Sequence, residues 1–400
     1  MEYVLLIFLL VLIIFDLLKN KKVHTPGFVF NTMFFITLLL YCMYLSYVQL
    51  WLSTRTVWII TLFIISFNIP IFRNYYKKDK KFIVIKHRIP FRISEKKEMI
   101  IYYIALVVFI LEVIYSKGCP LVWKIIGNGK TYFDFGIPSV NGMFYGLVIL
   151  MGAYSLFKKG CIYKYLYLSF GILMISRQML ISIFVQAVVL YLLSNKLNKK
   201  LIYCIVAGFL LGLLSFSIIG NIRTGESEFL KVAQFKSNFD WIPTSFKWVY
   251  AYICFSVSNL NNLFNITNGC VNFGATTFND LMPTIFNFQL PLNENIYYLV
   301  CKNFNVSTFA PLLYIDFGVI GLCVFCMLIG IISKFFYERT YANEMVSKLV
   351  YMIIAHNIIF MFFNNMFLYL PIMFELFLIP FIFVFDYKEI KNKILKRKGD

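Results

Sequence analysis

Eleven stretches of this chain are apolar, and nearly all are long enough to cross a lipid bilayer. They run at about 3–18, 28–47, 56–72, 99–116, 140–157, 165–176, 178–194, 201–218, 312–333, 349–364 and 369–386. A helix rising 1.5 Å per residue needs about 20 apolar residues to cover the hydrocarbon layer. The stretch at 165–176 is short, which predicts a helix that tilts, thins the bilayer or ends part-way across. None of the runs alternates lipid-facing with lumen-facing residues, so helices are expected and not a barrel. The expected fold is all-α: one polytopic integral membrane domain over 1–400 with about 11 transmembrane helices. A chain that is 60% hydrophobic and only 14% charged, with mean hydropathy +0.76, carries more apolar side chain than a soluble domain can cover.

The connectors divide by charge. Taking alternate connectors together joins Lys19, Lys21 and Lys22, the loop 73–98, Lys158, Lys159 and Lys164, the cluster Lys196 to Lys200, the stretch Lys334 to Lys348 and the tail 387–400. This set holds 28 of the 38 basic residues. The positive-inside rule makes it cytoplasmic. The N-terminus is then expected outside and the C-terminus inside, with the connector 117–139 and the long segment 219–311 outside. The net charge of +19 is read mainly as a topology signal. The basic loop carrying Lys77, Lys78, Lys80, Lys81, Lys86, Arg88 and Arg92 is matched to anionic lipid head groups, with no nucleic-acid partner expected. The first apolar run precedes its basic cluster and shows no small-residue cleavage site, so it reads as a retained helix.

The residues that carry chemistry narrow the function classes. The three histidines, His24, His87 and His356, fall in cytoplasmic loops or within a span, so no metal site or general base built on histidine is expected outside. The chain has no GxxxxGK[ST] and no GxGxxG stretch, which leaves nucleotide-driven transport unsupported. Of nine cysteines, Cys323 and Cys326 have CxxC spacing inside an apolar run, where thiols act as small packing groups. Cys119, Cys254, Cys270 and Cys301 fall outside, and any one pair among them is available to a disulfide. No cofactor or metal is expected.

What remains outside is arginine, carboxylates, amides and aromatic rings. Rings stack on the apolar faces of sugars while Asn and Asp bind their hydroxyls, and arginine grips phosphate with a two-pronged fork. The segment from Gly220 to Ala310 is the long non-spanning part, and it carries Arg223, Glu226, Glu228, Asp240, Asp280 and Glu294. Within it, 243–262 reads as an interfacial amphipathic helix lying against the membrane. Arg223 follows the eighth span at head-group depth, and the alternative role for it is a solvated loop charge. Asp316 enters the ninth span, where a carboxylate is costly unless paired or hydrated. The alternative for Asp316 is that it only caps or anchors that helix. Gly318 and Gly321 are read as allowing close helix packing.

Four stretches in order, YFDFGIPSVNG (132–142), WVYAYICFSVSNLNN (248–262), NFGATTFNDL (272–281) and STFAPLLYIDFGVIG (307–321), resemble those of the Wzy-type polymerases of O-antigen and capsular oligosaccharide repeat units. In that family they look like an FGIP-type loop, an aromatic helix, a G-x-T-F segment and a T-F-x-P-L-Y-x-D-F-G-x-x-G entry into a late span. The layout of many spans with one large outer loop is similar over the whole chain.

The resemblance implies a membrane-embedded, metal-independent glycosyltransferase of GT-C-like architecture in the bacterial cytoplasmic membrane. It would act on undecaprenyl-diphosphate-linked oligosaccharides at the outer leaflet. A chain-length co-polymerase and a flippase are the implied protein partners. The nearest counterpart of the family's R-x-x-x-G pattern is Arg223-Thr224-Gly225, with one spacer residue in place of three. Such a reaction needs positive charge against the departing diphosphate, for which Arg223 and Arg177 are the candidates. Arg177 has the alternative of a snorkelling helix-end residue. The reaction also needs a carboxylate to accept a proton, for which Asp316, Asp240 and Glu226 are the candidates. Tyr252, Asn259 and Thr308 are the expected sugar contacts, with packing and backbone bonding as the alternative for Tyr252 and Asn259. The rival classes are an O-antigen ligase and a lipid-linked oligosaccharide flippase.

Overall fold

The computed structural model describes residues 2–73, 93–158, 162–195, 199–283, 286, 288–301, 304–341 and 345–384. Most of the basic loop (74–92), Lys159, Lys196 and the tail 387–400 lie outside the described residues. Among the described residues the structure is helical, with no sheet and one isolated bridge between Ser46 and Phe235.

Each of the eleven apolar stretches is a helix. In chain order they are α1 (Glu2–Asn20), α2 (Pro26–Tyr41), α3 (Thr54–Arg73), α4 (Glu95–Ser116), α6 (Val140–Phe157), α7 (Tyr163–Leu173), α8 (Arg177–Ser194), α9 (Lys199–Thr224), α13 (Ala310–Thr340), α14 (Met345–Phe360) and α15 (Leu370–Ile379). A π-helical turn, Pro380–Val384, continues α15. The connectors hold α5 (Pro120–Ile126), α10 (Glu226–Ala233), α11 (Thr244–Ile266) and α12 (Ala275–Leu281). Five helices are long and apolar enough to cross a membrane: Thr54–Phe72 within α3, and α4, α6, α8 and α13. Shorter apolar helices are Pro26–Tyr41, Met345–Phe360 and Leu370–Val384. By these helices the chain is a multi-pass membrane protein.

The faces of the helices follow from the bilayer as solvent. On α4 the exposed residues Ile100, Ile104, Val107, Leu111 and Ile114 are all apolar. The buried face of α4 carries Glu98, Glu112 and Ser116 together with Ile101, Ala105 and Phe109. This polarity is inverted relative to a soluble helix, since only the interior of a bundle offers partners to polar groups in lipid. On α9 the exposed apolar residues Ile202, Val206, Leu210, Leu214, Ile218 and Ile222 repeat every fourth position. Between α2 and α3, Asn31 and Asn68 exchange amide hydrogen bonds at 3.0 and 2.9 Å. Such a buried interhelical bond is worth about 0.6–2 kcal/mol.

Helix α13 lies along α3, and Gly330 makes the contact close. A Cβ there would sit 2.5 Å from the Phe67 carbonyl oxygen and 2.8 Å from the Pro70 ring. Gly318, expected to serve helix packing, instead breaks α13: its φ of 63° and ψ of −159° are non-helical. The break leaves the carbonyls of Tyr314 and Ile315 without their helical donors, and buried carbonyls need replacements. Those donors come from the NFGATT segment: Cys270 N at 3.4 Å to Tyr314 and Val271 N at 2.7 Å to Ile315. The sequence IDFG therefore docks the outer segment onto the top of a membrane helix.

Helix α11 is not a surface helix. Trp248, Tyr250, Cys254, Phe255, Leu263 and Phe264 are buried, and α11 packs against α9, α2 and α3. The polar residues that gave it an amphipathic look are also buried, each with a partner. Asn261 Oδ1 accepts from Ser53 N at 3.0 Å and from Thr56 Oγ1 at 2.7 Å.

The two ends of the bundle are chemically distinct. At one end the connector 42–53 joins the long segment: Tyr47 N donates to the Gln234 carbonyl at 3.0 Å, and Lys236 N to the Leu45 carbonyl at 2.9 Å. At the other end lie the basic connectors. Lys158 pairs with Glu98 at 2.8 Å, Lys334 donates to the Pro70 carbonyl at 2.9 Å, and Lys22 sits over the Tyr341 ring at 4.2 Å. Cys119, Cys254, Cys270 and Cys301 are all free thiols.

Candidate functional site

The short helix α7 ends in a left-handed residue, Ile175, at φ 49°. A β-branched residue there is a genuine outlier, and it is held by Ser176 N donating to the Gly171 carbonyl at 2.9 Å. The turn lets Ser176 cap α8, its Oγ accepting from Met179 N at 3.3 Å. Tyr145 on α6, the helix that follows the FGIP loop, lies 2.9 Å from the same hydroxyl. Arg177 is thus fixed as the first residue of α8, at the positive end of the helix dipole. A cation is disfavoured at that place, so its retention needs compensating contacts. Arg177 is 8% exposed. Its guanidinium lies 5.3 Å from the Tyr252 ring centre and 5.9 Å from that of Trp248, and it donates to the Tyr252 hydroxyl at 3.4 Å. Such ring contacts are worth about 0.5–2 kcal/mol each.

Trp248 is itself locked. Its indole N–H donates to Asn221 Oδ1 at 2.8 Å, and its ring stacks on Phe229 with centres 3.7 Å apart. Gly220 allows the approach, since a Cβ there would lie 2.8 Å from the indole. Beside this wall is a cleft lined by Thr224, Glu228, Phe229, Val232, Trp248, Tyr252 and Phe304, with a volume of about 30 Å³. That is room for a pair of waters at roughly 10–15 Å³ each. A bulkier ligand therefore enters only if α10 or the chain around Phe304 moves.

The structure brings some of the expected residues together and separates others. Arg177 and Tyr252 meet at the cleft. Arg223 stands in the last turn of α9, next to the lining residue Thr224, and its side chain lies outside the described atoms. Glu226 is exposed at the start of α10 and accepts from the Thr244 hydroxyl at 2.6 Å. Asp240 is an exposed carboxylate 3.8 Å from Lys247.

Asp316, Asn259 and Thr308 are committed to the backbone. The buried Asp316 carboxylate accepts from Thr276 N at 3.2 Å and Thr277 N at 2.6 Å, capping the start of α12 from a neighbouring helix. Asn259 is fully buried: it donates to the carbonyls of Phe304 and Val306 at 3.0 and 2.7 Å, and accepts from Val300 N at 2.8 Å. Thr308 is also buried, and its hydroxyl accepts from Ala310 N at 3.4 Å. Asn259 thereby holds the segment that presents Phe304 to the cleft.

Glu228, Thr224 and Phe304 were not singled out as site residues from the sequence. Glu228 belongs to the same first turn of α10 as Glu226. Only the direction of that turn, set by Phe229 inserting under Trp248, selects it for the cleft. No family model, no curated protein and no solved structure matches the chain.

Proposed function

We propose that the chain is a polymerase of undecaprenyl-diphosphate-linked oligosaccharide repeat units, working at the outer leaflet of a bacterial cytoplasmic membrane. In this reading all eleven apolar helices span, in a GT-C-like arrangement, with the N-terminus extracytoplasmic and the basic end cytoplasmic. The observation that carries it is the Arg177 site. A buried arginine sits at a helix N-terminus between two aromatic rings, beside a cleft that opens among aromatic residues and one carboxylate. A helix N-terminus with arginine suits a phosphate, and the rings suit the apolar face of a sugar.

The reaction follows from those groups. A hydroxyl of the incoming unit attacks the anomeric carbon of the growing glycan, and the bond from that carbon to the diphosphate oxygen breaks. Arg177, with Arg223 one helix away, stabilises the charge on the departing lipid diphosphate. Glu228 accepts the hydroxyl proton. It replaces Asp316 in that role because Asp316 is occupied with the α12 backbone.

The test is polymerisation of a defined lipid-linked repeat unit by the purified chain. Ladders of higher oligomers are expected, and their absence with authentic substrate would sink the proposal. A second reading, a lipid-linked oligosaccharide flippase, is favoured by the polar residues buried between α8, α14 and α15. Deletion strains separate the classes on a gel. Loss of a polymerase leaves a core with one repeat unit, loss of a ligase leaves polymer on its lipid carrier, and loss of a flippase leaves neither.

A further inference from the structure

Below the Arg177 site, helix α8 carries Gln178, Ser182 and Gln186 four residues apart, hence on one face. That face meets α14 and α15. Ser182 Oγ lies 2.9 Å from His356 Nε2, and His356 Nδ1 lies 3.0 Å from Asn357 Oδ1. Asn357 in turn donates to Met373 Sδ at 3.8 Å. One turn further along α8, the Gln186 amide donates to both carboxylate oxygens of Glu375, at 3.1 and 2.8 Å.

Glu375, Gln186, Ser182 and His356 have no exposed surface. Among the described residues Gln186 is the hydrogen-bond partner recorded for Glu375, and neither described ion pair includes it. Gln186 Oε1 is buried with no partner at all. The charged or titratable side chains on the helices packed against α15 are Tyr145 and Tyr154 on α6 and Lys348, Tyr351 and His356 on α14. Arg177 and Tyr191 lie at the two ends of α8. His356 is taken up by Ser182 and Asn357, and Tyr351 by the His24 carbonyl at 2.7 Å.

A carboxylate buried in a membrane bundle without a counter-charge costs several kcal/mol. Three oxygens, two from Glu375 and one from Gln186, belong to one contact and supply a single negative charge. Oxygen ligands of that charge suit a hard cation carrying one positive charge. We propose that Glu375 and Gln186 hold one exchangeable monovalent cation, a proton or an alkali ion, in the interior of the bundle. The proposal is independent of the sugar chemistry at Arg177.

The experiment uses the full chain purified in detergent and the membrane-soluble reagent dicyclohexylcarbodiimide, with adducts mapped by peptide mass spectrometry. Glu375 is expected to be modified, and its modification to slow at least about tenfold, the equivalent of about 1.4 kcal/mol, when the site is refilled. Slowing by sodium or potassium in place of choline at constant pH assigns an alkali ion. Slowing only as the buffer is made alkaline assigns the proton. Gln186→Leu should then raise the protecting concentration of alkali ion about tenfold, and an unchanged concentration removes Gln186 as a ligand. Because the wild-type measurement stands alone, a misfolded variant does not blunt it. A Glu375 adduct whose rate ignores both pH and alkali ions overturns the site. So does a Glu375 that reacts in the unfolded chain and never in the folded one.

Discussion

Arg177 is the residue on which the proposed reaction turns, and its surroundings say which substitutions are informative. Lysine keeps the charge but loses the planar stack on Tyr252 and Trp248. Alanine loses both. If Arg177 stabilises the leaving diphosphate, Arg177→Ala should lower polymer yield by about 100-fold or more, the usual cost of one transition-state donor, and Arg177→Lys should restore a minor part. Thermal melting of the detergent-solubilised variants checks that the fold is intact.

A second residue-scale prediction concerns His24, in the connector between α1 and α2. Burial first, and the nearby Lys22 second, lower its pKa from 6.5 to about 4. Between those values the unfolded chain binds a proton that the folded chain refuses, so stability falls as pH drops through the window and is level above it. The loss expected by pH 4 is about 2 kcal/mol after allowing for screening of a partly exposed ring. His24→Gln should flatten the melting temperature over that range, and an unchanged pH profile would refute the assignment.

At the scale of elements, the break in α13 is the feature with the clearest physical demand. The conformation at Gly318 is essentially restricted to glycine. A Cβ would also lie 2.8 Å from the Cys270 sulfur. Gly318→Ala is therefore expected to cost about 1–3 kcal/mol and to loosen Cys270 and Val271 from α13, read as faster thiol labelling at Cys270. Unaltered stability and labelling would show that the break is not required.

The elements also show what was legible. The apolar runs predicted every long helix because lipid exposure writes an unbroken apolar face into each of them. Helix α11 was misjudged as interfacial because Ser256, Ser258, Asn259 and Asn261 look solvated in a linear reading. Their partners, such as Phe362 for Ser256 and Trp51 for Asn261, stand more than a hundred residues away. Asp316 drew notice as an expensive carboxylate, and its two backbone donors were equally invisible, since α12 reaches it only after the chain folds. Glu228 was hidden by a different cause: period alone does not say which acidic residue of a short helix faces inward.

For the molecule as a whole, the decisive quantity is which end faces out. The structure gathers the 42–53 connector and the long segment at one end and the basic connectors at the other. Positive charge biases the second end to the cytoplasm. The lipid diphosphate chemistry proposed for Arg177 requires the first end to meet the outer leaflet. Cys270 is an exposed free thiol at that end, and Lys96, exposed near the start of α4, marks the other. A membrane-impermeant maleimide added to spheroplasts should label Cys270 in the unaltered chain. In a Cys270→Ser background, Lys96→Cys should react only after the membrane is permeabilised. The reverse pattern would turn the molecule over, place Arg177 and its cleft in the cytoplasm and remove the outer-leaflet polymerase reading at once. It would leave the cation at Glu375 untouched, because a site in the interior of the bundle has no preferred side until the path of the ion is known.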